Sequence, residues 1–171
     1  MERTRWPEVE FSVVEERSLR CDSGGAGRYR GGLGIDMRVR NFVDGRWNFE
    51  RARRHGCPAW GLWGGRSGGT GGYFLRGPND AEFRAVDGSH RPVSQDSQVI
   101  VRTGGGGGWG DPLERDPEHV RWDVLEELVS VEAARSQYGV VLRRDLSVDE
   151  RGTQLLREQI RSGANLAEEI K

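Results

Sequence analysis

Lysine is nearly missing from this chain: of 26 basic residues, 25 are arginine and only Lys171 is lysine. Cysteine is scarce too. Cys21 and Cys57 stand 36 residues apart with no C-x-x-C, so a disulfide framework and a thiolate metal site are not expected, and a reduced, cytoplasmic setting is. The three histidines, His55, His90 and His119, form no H-x-x-x-H and have no acid at ligand spacing, which argues against a metal set. No apolar run approaches the ~20 residues of a membrane span. Met1-Glu2-Arg3-Thr4-Arg5 has no apolar stretch behind it, so no signal peptide is expected. Net charge is also lacking. At −1 for 171 residues, there is no bulk electrostatic reason to expect nucleic acid or an anionic membrane as partner.

What is abundant is glycine. There are 26, and 23 of them fall between Gly24 and Gly110, leaving only Gly139, Gly152 and Gly163 beyond. They keep no every-third-residue period and proline is only 6, so collagen is excluded. Short segments of β character lie among them. Phe11 to Leu19 is apolar-rich, and Ile35 to Arg40 and Arg46 to Glu50 alternate as half-buried strands do. Asp44-Gly45 predicts a hairpin turn between the last two. Further strands are expected at Gly72–Leu75, Glu82–Val86 and Gln98–Arg102.

After Asp111 the pattern turns helical. Asp116-Pro117-Glu118 supplies an N-cap, a proline at the first helical position and an acid in the first turn, ahead of the stripe Val120, Val124, Leu128. A second helix is predicted from Ser130 to Tyr138, closed by Gly139. A third follows the capping-box spacing Ser147 to Glu150, with Leu155, Leu156 and Ile160 as its buried stripe before Gly163. The expected fold is α+β: a glycine-rich, sandwich or barrel-like β region over 1–111, then two or three short helices over 112–171.

The glycine segments admit two readings. Their amides could cradle an anion, with Gly24, Gly25, Gly27 and Arg28 as the candidate cofactor contacts and Arg30 or Arg66 adding charge. Alternatively they are tight turns and close backbone approaches, which only glycine permits. No segment fits G-x-x-x-x-G-K-[ST], and the strand-to-long-helix context of a phosphate loop is missing after the first two. Arg28-Tyr29-Arg30-Gly31-Gly32 hints at RGG-type RNA binding, against the balanced charge. Trp60, Trp63 and Trp109 flank glycines, where an indole can cover bare backbone. His55 and Cys57 could pair as base and nucleophile, though no orienting third group is visible and a buried or inert Cys57 is the alternative. Asp22 is the candidate general base, and is equally a turn residue before Ser-Gly-Gly. No active site is assembled from residues alone.

The order of these segments resembles the hydantoinase B/oxoprolinase family. The resemblance rests on Asp22 to Gly34 (DSGGAGRYRGGLG), Trp60 to Gly65 (WGLWGG), Gly105 to Pro117, Ser130 to Arg135 and Tyr138 to Leu142, in the family's order, over about residues 5 to 160. Trp109 stands where the family has tyrosine, Arg66 where it has lysine, and Gln95-Asp96-Ser97 replaces a Pro-Gly-Asp turn. The resemblance implies the C-terminal part of a longer enzyme whose metal-bearing region lies upstream. It implies a hydantoinase A-type, actin-like ATPase subunit as partner, ATP and a divalent metal as cofactors of the complete enzyme, and an oligomeric assembly. The implied activity is ATP-dependent hydrolysis of cyclic amides such as 5-oxoproline or hydantoins, through phosphorylation of the amide oxygen. Acetone and acetophenone carboxylases have related large subunits, so a carboxylase role and a non-catalytic docking role are the implied alternatives. On this resemblance the chain alone binds no cofactor and is inactive.

Overall fold

The computed structural model describes residues 11–50 and 56–168, with backbone alone from 164 onward. Seven strands precede three helices. Strands β1 (Ser12–Leu19), β2 (Ile35–Asn41), β7 (Gln98–Arg102), β4 (Gly72–Arg76) and β5 (Arg84–Val86) form an open antiparallel sheet in that spatial order. Strands β3 (Gly45–Phe49) and β6 (Gly88–Val93) form a separate two-stranded ribbon. The architecture is therefore α+β with no closed barrel among the described strands.

Alternation explains the large sheet. Its register sets Asp36 opposite Arg102, Arg38 opposite Ile100 and Arg40 opposite Gln98. The intervening residues Val39, Val99 and Val101 face the other way, and Val99 is buried with Phe49 and Val93 of the ribbon. On the polar face Arg102 binds Asp36 through two N–H groups and lies 4.9 Å over the Phe74 ring. Every residue of β1 is exposed, as befits an edge strand paired on one side only.

The expected Asp44-Gly45 hairpin is not formed. Strand β2 pairs with β1 and β7, while β3 crosses to β6. The Asp44 carboxylate instead accepts the amide of Gln95, a contact across 51 residues that ties the ribbon's ends. Strand β6 is not legible in the sequence, because Gly88-Ser89-His90-Arg91-Pro92-Val93 has no alternation and contains a proline.

The helices follow their caps. In α1 (Pro117–Leu125) Asp116 accepts the amide of Glu118, and Val120 and Val124 are buried. Leu128 lies beyond its end, because Glu127 turns left-handed at φ 56°. Ser130 caps α2 (Val131–Tyr138), and Gly139 closes it at φ 63°, the left-handed C-cap the sequence predicts. The third helix, α3 (Glu150–Glu168), is capped by Asp149, which accepts from Gly152, and not by Ser147. It runs through Gly163, and its Leu155 is exposed. Ala26, from the first glycine segment, is buried among Val120, Val129, Ala134, Tyr138 and Val140. Ala26 thus carries the glycine region into the apolar core of the helices.

Candidate functional site

The three glycine-rich segments meet between the sheet and the helices and bond to one another through their backbones. The Gly25 amide donates to Gly106 at 2.8 Å, Gly106 to Gly32 at 2.8 Å, and Gly31 to Gly25 at 2.9 Å. From the second segment Arg66 donates to Ala26 at 2.7 Å and Gly69 to Ser23 at 2.7 Å. From the third, Gly105 donates to Gly69 and Gly108 to Arg66, both at 2.9 Å. At many of these glycines a side chain has no room. A Cβ on Gly24 would fall 2.3 Å from the Gly31 oxygen, on Gly25 2.1 Å from the Arg66 oxygen, and on Gly27 2.6 Å from the Trp109 nitrogen. These glycines permit close backbone approach.

The structure does not gather the candidate cofactor contacts into a cradle. The amides of Gly25 and Arg28 already donate to Gly106 and Gly110. The Arg28 guanidinium leans outward, 3.8 Å from Glu114 and 5.9 Å from the Tyr29 ring. Arg30 turns inward, where it and Arg115 grip Asp123 at 3.3 and 2.9 Å. Asp123 is only 4% exposed, so two guanidiniums share one buried carboxylate. Sequence reasoning alone does not single out Asp123 or Arg115. The available signal is an aspartate three residues after Val120, on the buried face of a capped helix.

Asp22 sits at φ 61°, where its Oδ1 accepts the Ser130 amide at 2.8 Å and its own amide donates to Leu128. It holds the first glycine segment against the α1–α2 connection. The neighbouring Cys21 thiol is pushed up by burial and by the Asp22 carboxylate, which opposes thiolate formation. Cys21 and Cys57 are both free and exposed, so of the two alternatives for Cys57, buried or inert, the buried one is not found; His55 lies outside the described residues. His90 and His119 are exposed, on β6 and the first turn of α1. Burial pushes the Tyr138 phenol up to about 12, keeping it neutral in the helical core.

Among the described residues, no three His, Cys, Asp or Glu side chains are placed to hold a metal ion. In the first glycine segment the amides of Gly25, Arg28 and Gly31 are bonded to backbone carbonyls and do not face a phosphate. A cleft of about 520 Å³ opens between the start of α1 and α3, lined by Asp116, Glu118, Glu150, Arg157 and Arg161 among others. Arg157 there reaches the carbonyls of Tyr138 and Arg115, so it ties helices together and is not held out for a ligand. No described helix is long and apolar enough to cross a membrane.

An open antiparallel sheet, a mesh of mutually bonded glycine-rich segments and a capped helical tail define an α+β scaffold. Its sequence matches the family model of hydantoinase B/oxoprolinase over residues 8–112. The chain belongs to that family. It is 31% identical to a Pseudomonas sp. (strain NS671) protein bearing the name of a D-/L-hydantoinase B component, over 85% of this chain and 25% of that protein. Among solved structures it resembles nucleotide-free acetone carboxylase, from work on ATP-dependent acetone carboxylation, with a TM-score of 0.73 and 26% identity, over 92% of this chain and 26% of that one. It also resembles the ATP-dependent caprolactamase of Pseudomonas jessenii, with a TM-score of 0.68 and 27% identity, over 86% of this chain and 26% of that one. The chain thus spans about a quarter of the length of the relatives it matches.

Proposed function

We propose that this chain is the C-terminal domain, or a split subunit, of an ATP-dependent enzyme that hydrolyses cyclic amides of the 5-oxoproline or hydantoin type. Within it, residues 1–111 and 112–171 act as one domain, and catalysis requires the remaining family chain and a hydantoinase A-type ATPase subunit. The observation that carries this reading is the match to ATP-dependent amide-hydrolase and carboxylase relatives over only a quarter of their length. ATP and a divalent metal belong, in this reading, to the complete enzyme. Asp22, Gly24, Gly25, Gly27 and Arg28 contribute by shaping the scaffold: Asp22 as a tether to Ser130, the glycines by close packing, Arg28 at the surface.

The test is reconstitution. The purified chain, supplied with ATP, Mg²⁺ and 5-oxoproline or hydantoin, is expected to give no turnover. Adding the rest of a family chain and its ATPase subunit should produce ATP-dependent hydrolysis. Turnover by the chain alone, or bicarbonate-dependent ATP use without hydrolysis by the reconstituted mixture, would overturn the hydrolase reading.

A further inference from the structure

The glycine mesh carries on its surface a row of large apolar side chains that nothing else in the described chain covers. Trp109 is its centre. Its backbone exchanges two 2.9 Å hydrogen bonds with Tyr29 on one side, and Leu62 is bridged to it on the other. The Tyr29 and Trp109 rings lie 5.5 Å apart. Trp60 is carried beside them, its carbonyl packed against Gly107, and Trp63 follows Leu62. Exposure is high throughout: Trp63 81%, Trp60 76%, Tyr29 60%, Leu62 52%, Trp109 44%. Four aromatics so exposed present on the order of 500 Å² of apolar-rich surface, the size of the largest patch on a typical monomer, which is often a functional one.

The turn that presents Trp63 is an independent sign. The Gly65 amide donates to the Leu62 carbonyl at 3.0 Å, and the two central residues, Trp63 and Gly64, have φ of 53° and 90°. Two positive φ values mark the type I′ pattern, whose first central position favours Asn, Asp or Gly. A tryptophan there is strained, and its indole gains almost no contact within the chain in return. Such strain at an exposed anchor is understandable if the indole is buried elsewhere. Trp and Tyr are also the side chains most enriched where protein interfaces concentrate their binding energy.

We propose that this row is the docking face for the remaining three-quarters of the family chain, with Trp63 as its anchor. The proposal rests on the reading of the chain as part of a larger assembly. The occupant is identified by length: in the solved relatives this same fold makes up only 26% of a continuous chain, so most of the polypeptide lies outside it. The hydrogen-bonded mesh beneath the row supplies a rigid platform, so little ordering is needed on binding.

The test is to co-express this chain with the Pseudomonas jessenii caprolactamase chain from which the matching quarter is deleted. Variants Trp63→Gly, Trp60→Ser and Val131→Ser are compared, Val131 being an exposed apolar residue on α2 that serves as control. A one-to-one complex is expected, with amide protection gained at residues 60–64 and 109. Trp63→Gly should weaken it by about thirtyfold, as loss of an interface hot spot does. The same variant should raise the thermal midpoint of the free chain, because glycine relieves the left-handed strain. A complex that forms but ignores Trp63→Gly and Trp60→Ser overturns the docking face and leaves the larger-assembly reading standing. No complex, with the truncated partner shown to be folded by circular dichroism, overturns the docking face, and the larger-assembly reading is then decided by the reconstitution above. A homodimer of this chain that Trp63→Gly dissolves makes a second copy the occupant and overturns the proposal.

Discussion

Gly105→Ala is expected to remove much of the chain's stability margin. A Cβ at this position would lie 1.7 Å from the Ser23 oxygen and 2.5 Å from its carbonyl carbon, both backbone atoms that cannot swing aside. Relief requires the first and third glycine segments to separate. That breaks the chain of bonds from Gly105 to Gly69 and from Gly69 to Ser23 in a buried setting. Each orphaned buried group costs about 1–3 kcal/mol, so a loss of roughly 3–5 kcal/mol is expected, a large part of the ~5–15 kcal/mol of a typical domain. Gly32→Ala is the matched control. It meets no atom within 4 Å and its φ is not positive, so it should stabilise by about 0.4–1 kcal/mol by restricting the unfolded chain. Urea unfolding of both variants checks this, and equal midpoints would refute the packing argument.

Asp123→Ala should be nearly as damaging. The substitution leaves Arg30 and Arg115, with side chains 16% and 14% exposed, facing each other with no carboxylate between them. Breaking a buried pair from one side typically costs about 3–5 kcal/mol. The loss falls on the contact between the first glycine segment and the helices, since Arg115 also donates to the Arg28 carbonyl. The readout is urea unfolding combined with an Arg30→Met, Asp123→Ala double-mutant cycle. A cost below ~1 kcal/mol, the range of surface ion pairs, would show that the triad contributes little.

Local chemistry makes the helical half legible in the sequence. Asp116, Ser130 and Gly139 act where their side chains or conformations require, because a cap is decided within four residues. Strand β7 is legible for a similar reason, its centre Val99-Ile100-Val101 being a short β-branched apolar run. Pairing is not. The chemistry of Asp44-Gly45 permits a hairpin, yet Gln95, far along the chain, claims the Asp44 carboxylate. The glycine mesh is legible as close packing but not as an arrangement, since glycines carry no side-chain pattern from which register could be read. The Arg30–Asp123 pair spans 93 residues and leaves no local trace. The aromatic row is visible as tryptophans beside glycines, but burial and exposure are equally compatible with that spacing.

The central claim is that the glycine segments build structure and do not cradle an anion. Native-state amide exchange tests it most directly, followed at Gly25, Gly69, Gly105, Gly106 and Gly108 with and without ATP. Because each of these amides donates to a backbone carbonyl, all five are expected to exchange only through global unfolding, at rates ATP leaves unchanged. Rapid, loop-like exchange in the free chain that becomes protected when ATP is added would contradict the account.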